Sequence, residues 1–583
     1  MAYTLAETTG ALTAAVVGVV SLLFLIYRWA LPKPLPGIPF NKDAAKSILG
    51  DAAELQRLQE QGKRPRAWFL QQNIKHKSSL VQAFVAPLSQ PMLLLSDFRE
   101  AQDILLRRNK EFDHGERDIA AFRGVLGNHH IGMRTRDPQF KSNRELVKDL
   151  MTPNFLNTVS APAIYSNTLR LVELWKLKAK KASGQPFQAD KDINMATFDI
   201  IKEVALGEGD SENTTEAYIK IIHETAAAKP NTSGEVEFPE QPPDEDLVSH
   251  HAHQEAVGAS LTAPSPWLYH VINNRRRHMK EAYAIRHRML ENQVSLAVQR
   301  LERGQPVRSA LDYMIQREMN AAKKAGRLPT FDSSQLRDEL YGYIGAGHET
   351  TSTSFQWAIK HLTVHQDVQQ KLRRALQLAF AESVAQSRQP SVSEITKVDV
   401  PYLEAVTEES LRLSGPIMGV VRQAQVETKI LGHRVPKGTE VFMPLCGPGI
   451  TQAPIEVDES LRSETSRSRP NVRGSWEVSP ESFIPERWLK PGPNGDEFDP
   501  QAGPFMSFSN GVRGCFGRRL AYIEFRILVV LTIWNLEPCQ VPESLQTFDA
   551  MDSLMTKPAK CYINVSEAET KVQSGVPLPM WQL

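Results

Sequence analysis

The sequence predicts a mainly α-helical protein with a small β subdomain, preceded by one N-terminal transmembrane helix. Three observations carry this. Residues 10–27 are almost wholly apolar. A long helical pattern runs from about Asp332 to Thr363, and another follows a Gly-rich loop from Arg518 to about Leu536. The short apolar runs Val81–Val85 and Met92–Leu95 read as paired strands.

The 10–27 run is about long enough to cross a bilayer core as a helix. A secretory signal would want a positive N-terminal region and a small-residue cleavage site. Here Glu7 is the only charge ahead of the run, and Tyr27-Arg28-Trp29 closes it. Arg28 and Lys33 lie just beyond, which puts the body in the cytosol by the positive-inside rule. Residues 1–30 are therefore expected as an anchor in membrane lipid. Pro32, Pro34, Pro36 and Pro39 make residues 31–45 a stiff hinge, with the folded body in 46–583.

Composition narrows the function. The net charge of +1 gives no bulk electrostatic case for nucleic acid. The four cysteines, at 446, 515, 539 and 561, form no C-x-x-C, so neither a zinc knuckle nor a disulfide framework is indicated. Sparse cysteines suit a reducing compartment.

Along the body, residues 113–133 have loop composition, and Phe140-x-x-x-Arg144 falls on a helix. Residues 208–266 are polar, and Thr225–Ser265 reads as a long irregular connection. His250, His251 and His253 lie beside Asp244-Glu245-Asp246 and read as solvated rather than as metal ligands. Arg275-Arg276-Arg277-His278 reads as the solvated face of a helix. Ser309–Ala325 is a helix stopped by Gly326. Asp332 and Gln335 look like a capping box for the long helix. That helix carries Gly345-Ala-Gly-His-Glu349-Thr350-Thr351, where two interior glycines cost about 1 kcal/mol each against Ala and need a reason, such as close approach of a ligand. Glu409 and Arg412 share a helix face, and Phe483-Ile-Pro-Glu-Arg487-Trp488 follows. Residues 447–476 include a Ser/Arg-rich run and read as a solvated insertion.

The focal stretch is Phe505-Met-Ser-Phe508-Ser-Asn-Gly511-Val-Arg513-Gly-Cys515-Phe-Gly517-Arg-Arg519. Its glycines let the backbone turn tightly, and the positive end of the helix that follows favours a thiolate at Cys515. This loop resembles the haem-binding loop of the cytochrome P-450 superfamily, the haem-thiolate monooxygenases. The Gly345–Thr350 pattern, the Glu409/Arg412 pair with Arg487, and the strand-like 555–565 are similar to further motifs of that family.

The resemblance implies a cytochrome P-450 fold of microsomal type, similar to fungal secondary-metabolism members. It implies haem b with Cys515 as the iron ligand in a loop formed with Phe508, Gly511 and Gly517. Arg513, Arg144 and Arg422 are then expected at the propionates, with Phe140 replacing the usual Trp and its indole donor. Thr350 and Glu349 would relay protons, and Glu409, Arg412 and Arg487 would form a structural triad. The implied reaction inserts one oxygen atom from dioxygen into an apolar small molecule. Electrons would come from an NADPH-cytochrome reductase, with a small b-type cytochrome as a second donor, at the endoplasmic reticulum membrane. Arg518 and Arg519 would face the electron donor. The rivals are a haem-thiolate isomerase or dehydratase working without a reductase, and a non-enzymatic haem sensor. Substrate contacts are expected from residues 113–130, Tyr343, Ala346 and Ile417–Val420.

Overall fold

Capped helices dominate the chain, and small sheets complete it. The computed structural model describes residues 2–568 apart from 208–212, 228, 233, 243, 494 and 553. The chain packs as two compact units.

The first unit comprises residues 1–115, 420–444 and 454–471. Its strands Leu80–Ala83 and Met92–Leu95 pair antiparallel, with Leu80 opposite Leu95, so the expected strand pair is found. Met92–Leu95 runs parallel to Glu440–Pro444, and Gly419–Ala424 and Phe112–His114 complete a five-stranded sheet. Leu93, Leu94 and Leu95 are fully buried, as in a strand covered on both faces.

The first helix spans Ala2–Ala30, with side chains described from residue 15 onward. Val16, Val20, Leu23, Phe24, Leu25 and Trp29 are all exposed. Tyr27 Oη donates to Lys46 O at 2.8 Å. Among the described residues no helix is long and apolar enough to cross a membrane, and the span expected at 10–27 begins outside the residues whose side chains are described.

Residues 454–471 are largely exposed, as a solvated insertion would be, but they are pinned to the fold at the buried Arg462. Arg462 lies against Asp97, with Nη2 donating to Oδ2 at 2.9 Å and the two side chains 6% and 10% exposed. Ser463 and Thr465 hydroxyls donate to Asp103 at 2.8 and 2.7 Å. The segment is attached by charge-assisted hydrogen bonds to the helix Phe98–Leu106 and its N-cap Asp97. Apolar periodicity cannot reveal such an attachment.

The second unit comprises residues 116–419, 445–453 and 472–583. Its core joins the helices Ala161–Ala182, Asp190–Leu206, Ser334–Val364, Pro401–Ser414 and Arg518–Asn535. The long helix begins at Ser334 because Ser333 caps it, accepting from Leu336 N at 3.2 Å; the expected Asp332–Gln335 box is displaced by one residue. The helix Ala310–Ala325 is capped by Ser309 and stopped by Gly326 at φ 64°, as its sequence signals. Strand Tyr562–Glu567 pairs with Leu536–Cys539.

Two expectations fail here. Glu116–Arg123 is helical inside the stretch read as loop. Glu245–Thr262 is helical inside the stretch read as irregular, with Asp244 capping it by accepting from Leu247 N at 2.9 Å. His250 and His253 on this helix are 2% exposed, not solvated. Apolar residues were too few there to show a 3.6-residue period, because the buried face is built largely from histidine, glutamine and serine.

Arg462→Ala removes the guanidinium opposite Asp97. It is expected to lower unfolding free energy by about 3 kcal/mol, read in a denaturant titration. A loss under about 0.5 kcal/mol, the scale of an exposed pair, would return the segment to a solvated role.

Candidate active site

The Phe505–Arg519 stretch forms a tight loop ending in a helix. Gly511 takes φ 74°, a left-handed conformation that favours glycine. A Cβ on Gly514 would lie 3.1 Å from Gly511 O. Cys515 N donates to Phe508 O at 2.9 Å, fixing the cysteine over the loop. Gly517 is the N-cap of the helix Arg518–Asn535. Cys515 is exposed, whereas Cys561 is buried and Cys446 and Cys539 are half-buried. Surrounding protein raises the Cys515 thiol pKa by desolvation, against the Gly517 amide and the Arg518 and Arg144 guanidiniums, which favour the thiolate. Phe508 packs beside Tyr522 and under the Arg518 guanidinium, 5.5 Å from its ring centre.

Two cations converge on the same aromatic patch. The Arg144 guanidinium sits 4.8 Å from the Phe516 ring centre and 6.0 Å from that of Phe140. The Arg513 guanidinium sits 4.6 Å from Phe140, with Nη2 donating to Ile131 O at 3.3 Å. Arg422 belongs to the first unit, buried, with Nη1 donating to Val421 O at 2.8 Å. An accessible sulfur flanked by two guanidiniums and an aromatic floor suits a flat ligand bearing carboxylates around a thiolate-seeking iron.

The long helix divides its faces. A Cβ on Gly347 would overlap Ile201 at 2.6 Å, and one on Gly345 would approach His250 at 3.2 Å. Both glycines therefore serve helix packing, not ligand approach. Ala346 is exposed and Thr350 partly so, in the middle of an otherwise buried helix. The Thr350 hydroxyl donates to Ala346 O at 2.7 Å. Glu349 points elsewhere: Lys557 Nζ donates to its Oε1 at 3.0 Å, and His251 Nε2 lies 3.8 Å away. The structure thus places the acid and the alcohol in different surroundings, as adjacent helix residues must be.

Behind Glu349 stands a group of imidazoles. His348 stacks on His251 at 5.7 Å and lies 5.2 Å from His250. His348 Nε2 donates to Asn194 O at 3.0 Å, and the Gln254 amide donates to His250 Nε2 at 2.6 Å. Burial depresses these rings, taking His250 to about 3, so they stay neutral.

The expected triad is assembled. Glu409 accepts from Arg412 Nε and Nη2 at 2.8 Å each and from Arg487 Nε at 3.0 Å. Two donors were not foreseen: Trp488 Nε1 at 2.9 Å and Ile484 N at 2.9 Å. Trp488 stands edge-on to Phe505, and Phe505 adjoins Phe508. Ser507 Oγ donates to Leu411 O at 2.9 Å. The triad therefore supports the cysteine loop through an aromatic stack and a direct hydrogen bond.

Sequence reasoning also missed Glu524, fully buried on the loop's helix, with Thr351 Oγ1 donating to it at 3.4 Å. Its acidity drops by burial to a pKa of about 8. No motif marks it, since a lone Glu on an apolar helix reads as exposed. Tyr343, expected at the substrate, is 8% exposed, and Ile417 is 42% exposed. A cleft of about 920 Å³ opens between Glu116–Arg123 and Pro266–Asn273, lined by Ile119, Arg123, Trp267 and His270 among others. It borrows no residue from the cysteine loop or the long helix.

The cytochrome P450 family model matches residues 79–449 and 475–565. The chain is a cytochrome P450. Its cofactor is accordingly a haem iron with a cysteine thiolate axial ligand. This cytochrome P450 is 36% identical to the cytochrome P450 monooxygenase TRI13 of Fusarium sporotrichioides, over 94% of this chain and 98% of the relative. It is 34% identical to the cytochrome P450 monooxygenase xilC of Penicillium rubens, over 93% and 94%. It is 32% identical to the cytochrome P450 monooxygenase GME11363 of Pestalotiopsis microspora, over 96% and 99%. The family model omits 450–474, which contains most of the inserted segment.

Glu524 generates a test. Folded protein holds its proton between 4.5 and about 8, where the unfolded chain releases it. Stability from this group is thus present below 4.5 and lost as pH rises through that window. Glu524→Gln is expected to gain melting temperature relative to the native protein between about pH 5 and about pH 8. A pH-independent difference would show that Glu524 ionises freely.

Proposed function

We propose that this cytochrome P450 is a membrane-attached monooxygenase of fungal secondary metabolism, inserting one oxygen atom from dioxygen into an apolar organic substrate. The observation that carries the reading is the accessible Cys515, held by Phe508 O at the start of a helix with Arg144 and Arg518 beside it. In this reading Cys515 is the iron ligand, and Phe508, Gly511 and Gly517 shape its loop. Arg144, Arg513 and Arg422 hold the carboxylates of the cofactor. The bound haem supplies dioxygen activation.

The chain's own residues then manage protons and water. Thr350, on the open helix face, holds a hydroxyl whose lone pairs can orient a water. Glu349 is reached from the partly exposed Lys557 and His251, a route by which protons can enter from solvent. The electron donor is an NADPH-cytochrome reductase, with a small b-type cytochrome as a second donor. The exposed Arg518 and Arg519 are the basic residues an acidic partner would meet.

The relatives are monooxygenases by name, which supports that reading over an isomerase, a dehydratase or a sensor. Attachment is to the endoplasmic reticulum membrane through residues 1–30, with 31–45 as hinge and 46–583 facing the cytosol. Its support is the exposed apolar set from Val16 to Tyr27, followed by Arg28 and Lys33.

Reductase-driven turnover on purified protein tests the chemistry. Reduced native protein with carbon monoxide should show the red-shifted Soret band of a thiolate haem, and Cys515→Ala should abolish it. Thr350→Ala should keep the band but lower product formed per NADPH oxidised. A retained band in the first variant or an unchanged ratio in the second removes that residue from its role. Removing residues 1–30 should leave the band and shift the protein toward the soluble fraction. A truncated protein that still sediments fully with membranes overturns the attachment.

A further inference from the structure

The segment His129-His130-Ile131 is wedged between the long helix and the cysteine loop. A Cβ on Gly342 of the long helix would lie 2.3 Å from the His129 ring, so that glycine admits the wedge. Glu339, on the same helix, is its fixed point. Its Oε1 accepts from His130 N at 2.7 Å and from Asn143 Nδ2 at 2.9 Å. Its Oε2 accepts from His130 Nδ1 at 2.7 Å and faces His129 Nε2 at 3.4 Å. Burial would raise this carboxyl, but the His130 hydrogen bond and both imidazoles keep it below the usual range.

His129, His130 and Glu339 have ligand atoms within 4.8 Å of one another, which suggests a metal. The tautomers oppose that reading. His129 Nδ1 accepts from Ile131 N at 3.0 Å, which leaves the ring proton on Nε2, the nitrogen facing Glu339. A metal would need that nitrogen bare. The network is complete without a cation.

What remains is the far side of His130. Its ring stands edge-on to Phe140 at 5.9 Å and to Phe516 at 6.4 Å, the two rings that carry Arg513 and Arg144. Ile131 O, one residue on, accepts from Arg513. Among the described residues Nε2 of His130 has no protein hydrogen-bond partner, and its side chain is 13% exposed. Phe140 offers no donor at this patch.

We propose that His130 is a positioning residue for the haem, its Nε2 donating to a cofactor carboxylate beside Arg144 and Arg513. This rests on the haem reading above. With Nδ1 fixed on Glu339, a second carboxylate at Nε2 favours a proton on each nitrogen. The Glu339 pair sets the ring angle, so this donor arrives pre-aimed from the long helix.

Amide side chains separate the two nitrogens. Asn can replace Nδ1 and keep the Glu339 bond; Gln can replace Nε2 and keep the donor to the cofactor. Full-length holoprotein carrying His130→Asn, His130→Gln or His130→Phe is mixed with excess haem-free globin, and haem transfer is timed. Loss of one charge-assisted bond should speed transfer on the order of tenfold in the Asn and Phe variants. Gln should stay near the native rate, and all should keep the thiolate band. Native-rate transfer from the Asn variant overturns the proposal. So does a Gln variant as leaky as Phe, since only the Glu339 contact would then matter. Stoichiometric zinc in native protein, whose chelation reproduces the haem loss, would make the cluster a metal site instead and also overturns it. A native protein without the thiolate band would sink the haem reading itself, a separate result.

Discussion

The Glu409 carboxylate is the constraint on which the second unit depends. It is fully buried and accepts five hydrogen bonds, from Arg412, Arg487, Trp488 and the Ile484 amide. A bare buried carboxylate would cost several kcal/mol. The chain therefore cannot rearrange around it without losing many bonds together. Arg412 spends its remaining donors on Ile450, Pro480 and Ser482 carbonyls, so two separate loops are tied to one helix. Trp488 then passes that rigidity to Phe505 and Phe508, beneath Cys515. A thiolate loop needs such support, because its glycines give it little stiffness of its own.

The long helix meets two demands at once. Its rear carries Gly345 and Gly347 against His250 and Ile201, which brings neighbouring helices close. Its front leaves Ala346 and Thr350 open. The carboxylate of Glu349 sits between these regimes, nearly buried yet reached by half-exposed Lys557 and His251. Neutral buried imidazoles are suited to such a position, because each offers one donor and one acceptor without importing charge.

Polar interiors recur in this cytochrome P450. The inserted segment is held by Arg462, Ser463 and Thr465, and the helix Glu245–Thr262 buries histidine and glutamine. Both were read from sequence as solvated, for the same reason. Hydropathy counts side chains one at a time, while the cost of burying a polar group depends on a partner far away in sequence.

The cysteine loop, the glycine-bearing long helix and the Glu409/Arg412 pair were legible by sequence alone, whereas Arg487 joined that pair only through the family resemblance. Each is a local run of residue types whose spacing fixes a turn, a face or a charge pair. The strand pair at 80–95, the helix stop at Gly326 and the helix start at Arg518 were legible for the same reason. Tertiary structure decided the rest. It showed that Glu349 turns to Lys557, 208 residues away, that the helix glycines pack against Ile201 and His250, and that His129 and His130 lock onto Glu339. Those outcomes depend on which buried donor meets which buried acceptor, and the folded chain sets that pairing between residues that sequence spacing leaves unrelated.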